Sequence, residues 1–148
     1  MATRLADADA TEAFGRLLAV RLRAGDAVAL FGALGAGKTT LCRGVLRGLG
    51  HAGDVASPTF PIVQVYAPPD TRLPLWHVDL FRIEHAGEFE ELGLDDAREH
   101  AAMLIEWPER LPALWPDALR LTLEVEADGA RALTAHVPPA WGGRWPPT

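Results

Sequence analysis

The chain has 148 residues, 49% of them hydrophobic, which is enough for one domain with a buried core and excludes disorder throughout. Its 20 acidic residues outnumber its 14 basic residues, and the net charge of −6 argues against a primary nucleic-acid-binding role, because that role depends on clustered Lys and Arg. The single cysteine, Cys42, excludes an internal disulfide and a cysteine-based zinc site, and no signal sequence or membrane span is visible, so we expect a soluble cytoplasmic protein.

An amphipathic helix is predicted over roughly the first twenty residues, with its end near Gly25. Asp9 and Glu12 have the spacing of a capping box at its start. Its apolar residues fall on one face: Phe14, Leu17, Leu18 and Leu22.

The next segment predicts a strand, a glycine loop and a helix. Residues 26–31 are a short apolar run between turn residues, which is typical of a strand buried on both faces of a parallel sheet. Residues 32–37 are rich in glycine. From residue 38 to about residue 49 the apolar positions recur at helical spacing, and Gly50 follows where a glycine C-cap is expected.

The middle of the chain predicts a loop, a hairpin and short helices. Two prolines three positions apart make 57–61 an irregular loop. Residues 62–66 and 73–78 read as strands joined by a turn-rich stretch, which indicates a hairpin. Residues 84–100 contain seven acidic residues with apolar ones between them, and we predict one or two short helices there.

Strands dominate the last third of the chain. Residues 101–105 form an apolar run, whereas 119–126 and 131–137 alternate apolar and polar residues around a turn, which is typical of a terminal hairpin with one solvated face. Residues 138–148 are rich in Pro, Gly and Trp and are predicted to lack regular structure. We therefore expect a single domain over 1–137 and a C-terminal tail over 138–148.

A phosphate-binding loop is the strongest signal in the sequence. Residues 32–39, Gly-Ala-Leu-Gly-Ala-Gly-Lys-Thr, match G-x-x-x-x-G-K-[ST] at every fixed position, between the required strand and helix. Lys38, the chain's only lysine, is expected to reach the β- and γ-phosphates, and the Thr39 hydroxyl to bind Mg²⁺. A purely structural glycine turn is the alternative. The predicted nucleotide-binding residues here are Gly32, Leu34, Gly35, Ala36, Gly37, Lys38, Thr39 and Thr40.

Two acidic residues follow apolar strands and are candidates for the metal site. Asp79 and Glu106 each end such a run, so we expect both at the carboxyl edge of the sheet, where open α/β sheets bind ligands. Ordinary strand-end caps are the alternative. Thr59 is predicted to sense the γ-phosphate by analogy with switch loops, and the alternative is a loop hydroxyl satisfying nearby backbone.

Several other residues carry open alternatives. We expect His77 to be a packed histidine, with a catalytic role as the alternative. Arg82 has two open interpretations: it binds phosphate or an acidic group of a partner, or it forms a surface ion pair. We expect the acidic residues of 84–99 to form a solvated helix face, and the alternative is a docking surface for a basic partner. Trp141 and Trp145 either pack on the core or engage a partner.

Four motifs in order resemble the TsaE family of small bacterial ATPases in tRNA threonylcarbamoyladenosine synthesis. They are residues 32–40, the Ser-Pro-Thr-Phe of 57–60, the His-Val-Asp-Leu-Phe-Arg of 77–82 and the Ile-Glu-Trp-Pro-Glu of 105–109. The resemblance implies an α/β, three-layer P-loop NTPase-like fold with a mostly parallel central sheet and a C-terminal antiparallel hairpin. It also implies ATP and Mg²⁺ as cofactors, TsaD and TsaB as partners, and contact with tRNA only through that complex.

Carried onto this sequence, the resemblance places Lys38, Thr39 and Thr40 on phosphate and magnesium, and it places Thr59 in the switch position. Asp79 and Glu106 take the acidic positions on the metal side, and Trp107 lies near the nucleotide. We therefore predict Lys38, Asp79 and Glu106 as catalytic residues and Thr39, Asp79 and Glu106 as metal ligands. The sequence departs from the family at four positions: Ala33 replaces an acid, Phe60 and Phe81 replace Tyr, and Pro61 replaces Thr.

The predicted function is ATP hydrolysis that supports the TsaB–TsaD complex without performing the group transfer itself. The main alternative is a P-loop small-molecule kinase, which normally needs an arginine-paired lid that this sequence does not show. A GTP-driven switch would need an Asn-Lys-x-Asp motif, and the chain contains no Asn. A module that only binds nucleotide is the third alternative, and Ala33, which stands where the family has an acid, keeps it open.

Overall fold

The computed structural model of the protein describes residues 2–55, 62–84 and 87–148. Strands and helices follow one another in this order: β1 Ala2–Leu5, α1 Ala8–Arg21, β2 Ala27–Phe31, α2 Lys38–Gly48, β3 Val63–Tyr66, β4 Leu75–Asp79, α3 Gly87–Leu92, α4 Leu94–Arg98, β5 Ala102–Glu106, β6 Leu119–Val125 and β7 Arg131–His136. Short 3₁₀ turns occupy Pro108–Arg110 and Pro139–Trp141.

The strands form one sheet in the order β1-β7-β6-β2-β5-β4-β3. The four central strands β6, β2, β5 and β4 are parallel, whereas β3 pairs antiparallel with β4 and β7 pairs antiparallel with both β6 and β1. This mixed α/β sheet, parallel in the centre with an antiparallel C-terminal hairpin, confirms the predicted fold class.

Helices cover both faces of the sheet. The side chains of each strand alternate between the two faces and pack against the helices there. Val28, Leu30 and Leu104 pack into a buried cluster with α1 and α2. Met103 and Ile105 point the other way, into a second cluster with α3 and α4. The central strands are therefore buried on both faces, as their uninterrupted apolar sequences predict.

The prediction for the N-terminus was wrong in its boundaries. Residues 2–5 are not helical but form an edge strand, and the helix begins at Ala8 and ends at Arg21. Its N-cap is Asp7, whose carboxylate accepts from the Ala10 N–H at 2.8 Å, so Asp9 and Glu12 do not form the capping box. The partner of β1 lies on β7, too far along the chain for a local pattern to reveal the pairing.

Other predicted elements are present with small shifts. The β3–β4 hairpin and the two short helices α3 and α4 are confirmed, and Gly50 follows α2 with a φ of 107°. The last segment is more ordered than predicted, because it contains the 3₁₀ turn and Trp141 is fully buried against the core of α1 and α2. Arg144 anchors it through two hydrogen bonds to Asp26, at 2.7 and 3.0 Å.

None of the helices in the described ranges combines the length and the apolar character that crossing a bilayer requires.

Three glycines allow α1 and α2 to lie against each other at backbone contact. A Cβ on Gly44 of α2 would lie 2.1 Å from the carbonyl oxygen of Glu12, and one on Gly15 of α1 would lie 2.4 Å from that of Leu41. One on Gly48 would lie 2.6 Å from the Cβ of Ala19. Because the obstacles at Gly44 and Gly15 are backbone atoms, only a residue without a side chain fits there.

Gly44→Ala is expected to lower the free energy of unfolding by about 3 kcal/mol, because the added methyl forces the helices apart. In an isolated helix the same change would stabilise by about 1 kcal/mol, so the sign identifies the close contact. Urea unfolding followed by circular dichroism measures it. The control is Gly53→Ala, where the nearest atom is a His51 side-chain nitrogen at 3.1 Å. Equal stability of the Gly44→Ala variant and the unsubstituted chain would contradict the expectation.

Candidate functional site

The glycine loop joins β2 to α2 at the carboxyl edge of the parallel strands. Gly32, Gly35 and Gly37 have φ values of 150°, 79° and 105°, which L side chains adopt at a cost. A Cβ on Gly32 would also lie 2.7 Å from the Leu123 carbonyl oxygen. Gly37 is the N-cap of α2 and has no capping side chain, so the first N–H groups of the helix are open to an anion.

Lys38 is buried at the base of this loop. Its Nζ donates to the Gly32 carbonyl oxygen at 2.6 Å and lies 3.7 Å from the centroid of the Trp107 ring. Burial lowers the pKa of Lys38, and the carboxylates of Glu106, Glu109 and Asp79 oppose that shift. The ammonium therefore lies where it is poorly hydrated, which strengthens its attraction for a phosphate oxygen, and the nearby carboxylates favour its charged form.

Asp79 and Glu106 lie at the ends of neighbouring strands, as predicted. They are paired in the register of β4 and β5, and Glu106 is also level with Leu30 of β2. The Asp79 carboxylate accepts from the Phe81 N–H at 3.0 Å. Parallel pairing thus brings both carboxylates to the edge at which the glycine loop begins.

Glu106 is only 2% exposed and has several hydrogen-bonding neighbours. The Thr39 hydroxyl lies 3.3 and 3.4 Å from its two oxygens, and His77 donates from Nε2 to Oε2 at 2.6 Å. The Cys42 thiol lies 4.0 Å from Oε2, and burial, together with the carboxylates of Glu106 and Asp79, raises the pKa of Cys42 well above its ordinary value. The thiol therefore stays protonated and can donate to the carboxylate.

His77 is buried, as expected for a packed histidine, but it contacts the candidate metal ligand Glu106 directly. Cys42, His77 and Glu106 place ligand atoms within 4.8 Å of one another. The 2.6 Å separation of His77 Nε2 and Glu106 Oε2 is a hydrogen-bond length, whereas two atoms bound to one zinc ion lie about 3.3 Å apart. This arrangement orients the Glu106 carboxylate toward Thr39.

A cleft of about 420 Å³ opens over the glycine loop. It is lined by Leu34, Gly35, Gly37, Lys38, Thr39, Thr40, Asp79, Phe81, Arg82, Glu106, Trp107 and Arg131. Two predicted residues do not line it: Gly32 presents its carbonyl to Lys38, and Ala36 is buried in the core. Thr59, with the rest of the predicted loop 57–61, lies outside the described residues.

Trp107 directly follows Glu106 in an unusual backbone conformation. Its φ of 58° is the one positive value at a residue other than glycine in the described part of the chain. Its ring lies over the Lys38 ammonium and 4.8 Å from the ring of Phe81. A bulky residue adopts this conformation only where its surroundings hold it, which is common at functional sites.

Arg131 was not among the predicted site residues. Its guanidinium donates to the carbonyl oxygens of Ala36 at 2.9 Å and Gly35 at 3.1 Å. The alternating pattern of 131–137 predicts a strand but does not say which strand or loop it lies beside. A basic residue at the first position of a hairpin's return strand is the one available signal, and it is weak.

The donor set fits a phosphate chain with a hard divalent cation. Open N–H groups and the Lys38 ammonium are donors for phosphate oxygens. The Thr39 hydroxyl and the carboxylates of Asp79 and Glu106 supply oxygen ligands of the kind that Mg²⁺ prefers. Thr39 and Glu106 already lie in contact, so they can share one ion with little movement.

The profile of the family described as threonylcarbamoyl adenosine biosynthesis protein TsaE matches residues 5–133. The tRNA threonylcarbamoyladenosine biosynthesis protein TsaE of Streptomyces coelicolor is 42% identical over 134 residues, which cover 88% of this chain and 90% of that protein. The protein of the same name from Bacillus subtilis is 37% identical over 133 residues, covering 88% and 82%.

The fold has a solved relative as well. The crystal structure of YdiB from Bacillus subtilis superimposes with a TM-score of 0.74 at 31% sequence identity. The superposition covers 91% of this chain and 83% of that one. The family match over residues 5–133 spans the glycine loop and both strand-end acids.

His77→Ala is expected to lower the free energy of unfolding by about 2 kcal/mol, because it leaves the buried Glu106 carboxylate without its shortest hydrogen bond. His77→Gln, which keeps an N–H donor at the end of the side chain, should recover part of the loss. Thermal and urea unfolding of the three proteins measure this. If the alanine and glutamine variants were equally destabilised, packing of the ring rather than its hydrogen bond would account for the effect.

Proposed function

Since the chain belongs to the TsaE family of tRNA threonylcarbamoyladenosine biosynthesis proteins, we propose that it serves this biosynthesis as a weak Mg²⁺-dependent ATP hydrolase. One observation carries the proposal: the loop lysine Lys38 and Thr39 share a cleft with the strand-end carboxylates Asp79 and Glu106. Phosphate-binding groups and metal-binding groups thus face the same space.

ATP is the proposed substrate of this cleft. The loop N–H groups and the N-terminal turn of α2 would bind the phosphate oxygens. Lys38 would exchange its contact with the Gly32 carbonyl for the β- and γ-phosphates, and its charge counters the growing negative charge on the leaving diphosphate. The aromatic ring of Trp107 lies beside the ammonium and limits the access of water to it.

Thr39, Asp79 and Glu106 would hold Mg²⁺, which when bound neutralises phosphate charge. Glu106 is held in place by His77 and lies 3.3 Å from the Thr39 hydroxyl. We propose that its carboxylate also positions the attacking water, a role in which a fixed orientation matters more than reach.

The proposed partners are TsaB and TsaD, and the tRNA is reached through their complex. The net charge of −6 supports this, because an acidic chain gains little from direct contact with RNA phosphates. We propose the cytoplasm as the compartment, consistent with a single buried cysteine that requires no oxidising environment.

The purified chain is expected to hydrolyse ATP slowly with Mg²⁺, and the TsaB–TsaD pair is expected to change the rate. Glu106→Ala and Lys38→Ala should each lower hydrolysis by about a hundredfold or more, because they remove a metal-side acid and a phosphate contact. Phosphate release with and without the pair, and after removal of Mg²⁺ by a chelator, measures this.

The matched control is Glu124→Gln, which alters an exposed carboxylate on β6 that does not line the cleft and should leave the rate unchanged. A rate that the pair does not alter would favour the small-molecule kinase instead, and a chain that binds no ATP would contradict the proposal altogether.

Thr59 and the loop 57–61 are proposed to couple ATP to partner binding: ATP orders the loop, the ordered loop docks on the partner, and hydrolysis releases it. Thr59→Ala is then expected to weaken ATP-dependent binding to TsaB–TsaD by about tenfold while leaving ATP affinity within about twofold. Calorimetry for ATP and surface-immobilised partner binding give the two numbers. Partner binding that is equal in Thr59→Ala and the unsubstituted chain would exclude this loop as the switch.

A further inference from the structure

Arg131 joins two parts of the chain that are far apart in sequence. It is the first residue of β7, and its guanidinium donates from Nε to the Ala36 carbonyl oxygen at 2.9 Å and from Nη2 to that of Gly35 at 3.1 Å. Nη1 donates to the carbonyl oxygen of Gly129 in the turn before β7. One side chain thus ties the phosphate-binding loop to the C-terminal hairpin.

The topology explains why this arginine reaches the loop. Because β7 runs antiparallel to β6, it begins at the edge where the parallel strands end. The turn between them is held by a hydrogen bond from the Glu126 N–H to the Ala130 carbonyl oxygen at 2.8 Å and by the Asp128 carboxylate, which accepts from the Ala130 N–H at 3.0 Å. Arg4 of β1 forms an ion pair with Asp128, and this turn therefore gives Arg131 a fixed base.

The Arg131 guanidinium supplies hydrogen-bond donors to carbonyl groups of the phosphate-binding loop. A loop whose N–H groups converge on an anion must point carbonyl oxygens outward. Some of these oxygens have partners within the loop and its helix: that of Gly32 accepts from Lys38, and that of Ala33 accepts from the Ala36 N–H at 3.1 Å. The carbonyl oxygens of Gly35 and Ala36 accept instead from Arg131, a residue outside the loop.

We propose that Arg131 is a positioning residue that holds the phosphate-binding loop in its receptive conformation before a phosphate chain arrives. It acts through the Gly35 and Ala36 carbonyl groups, whose peptide units must be oriented for the adjoining N–H groups to face the cleft. Ordering the loop in advance removes an entropy cost from binding, so the residue raises phosphate affinity. The effect on affinity rests on the proposed function, whereas the effect on the loop does not.

Arg131→Met tests this, since it keeps the length of the side chain and removes all its donors. In the protein without nucleotide, NMR order parameters of the Gly35, Ala36 and Gly37 amides are expected to fall from about 0.85 in the unsubstituted chain to below about 0.6 in Arg131→Met. The dissociation constant for Mg·ADP, by calorimetry, is expected to rise about tenfold. In steady-state hydrolysis the KM for ATP should rise while kcat stays within about twofold, because the loop binds ground state and transition state alike.

Two further variants separate this role from a general loss of stability. Arg131→Lys, which keeps a charge and can donate to one carbonyl group, should show intermediate order parameters and affinity. Arg98→Met is the matched control: it removes a guanidinium that also donates to a backbone carbonyl oxygen, that of Gly25 at 2.7 Å, and that pairs with Asp117 and not with the phosphate-binding loop, so it should leave both readouts unchanged. If Arg131→Met does not fold, the comparison of Arg131→Lys with Arg98→Met decides the question.

Rigid loop amides in Arg131→Met, or equal changes in Arg98→Met, would overturn the proposal. So would a flexible loop that binds Mg·ADP with unchanged affinity. If the unsubstituted chain binds neither ADP nor ATP, the proposed function fails, and the order parameters alone then decide whether Arg131 holds the loop.

Discussion

A carboxylate buried at the end of a parallel strand is the constraint on which the site depends. Glu106 is almost fully excluded from water, so its oxygens need hydrogen-bond donors from the protein. These come from two different elements: Thr39 and Cys42 of α2 and His77 of β4. The requirement fixes β4, β5 and the first turns of α2 against one another, and that junction is the floor of the cleft.

The same junction holds Lys38 in contacts that a phosphate chain can replace. Lys38 is paired with a neutral carbonyl oxygen and an aromatic ring. Both contacts are weaker than a charge-assisted bond to a phosphate oxygen, so a phosphate chain can displace them. Trp107 takes part in this arrangement only because its backbone adopts the left-handed conformation after Glu106.

Much of the fold and most of the site were predictable because the signals are local. The glycine loop is defined by neighbouring residues, and its positive φ values at Gly35 and Gly37 follow from steric rules that any glycine-rich turn obeys. Asp79 and Glu106 were found because each directly follows a short apolar run, and parallel strands end at one edge. The edge strand β1 was missed, because four residues with one buried position carry no periodic pattern and their partner on β7 is remote.

The sequence by itself determined the glycine loop with its lysine, the two strand-end acids, the order of the central elements and the resemblance to the TsaE family, all of which are short-range patterns. Only the tertiary structure decided that His77 and Cys42 face Glu106, that Arg131 supports the loop, and that glycines let α1 and α2 touch. Each of these depends on which strands pair and how closely helices approach. Such contacts join residues dozens of positions apart, and they are selected by burial of the whole core, which no local window of sequence contains.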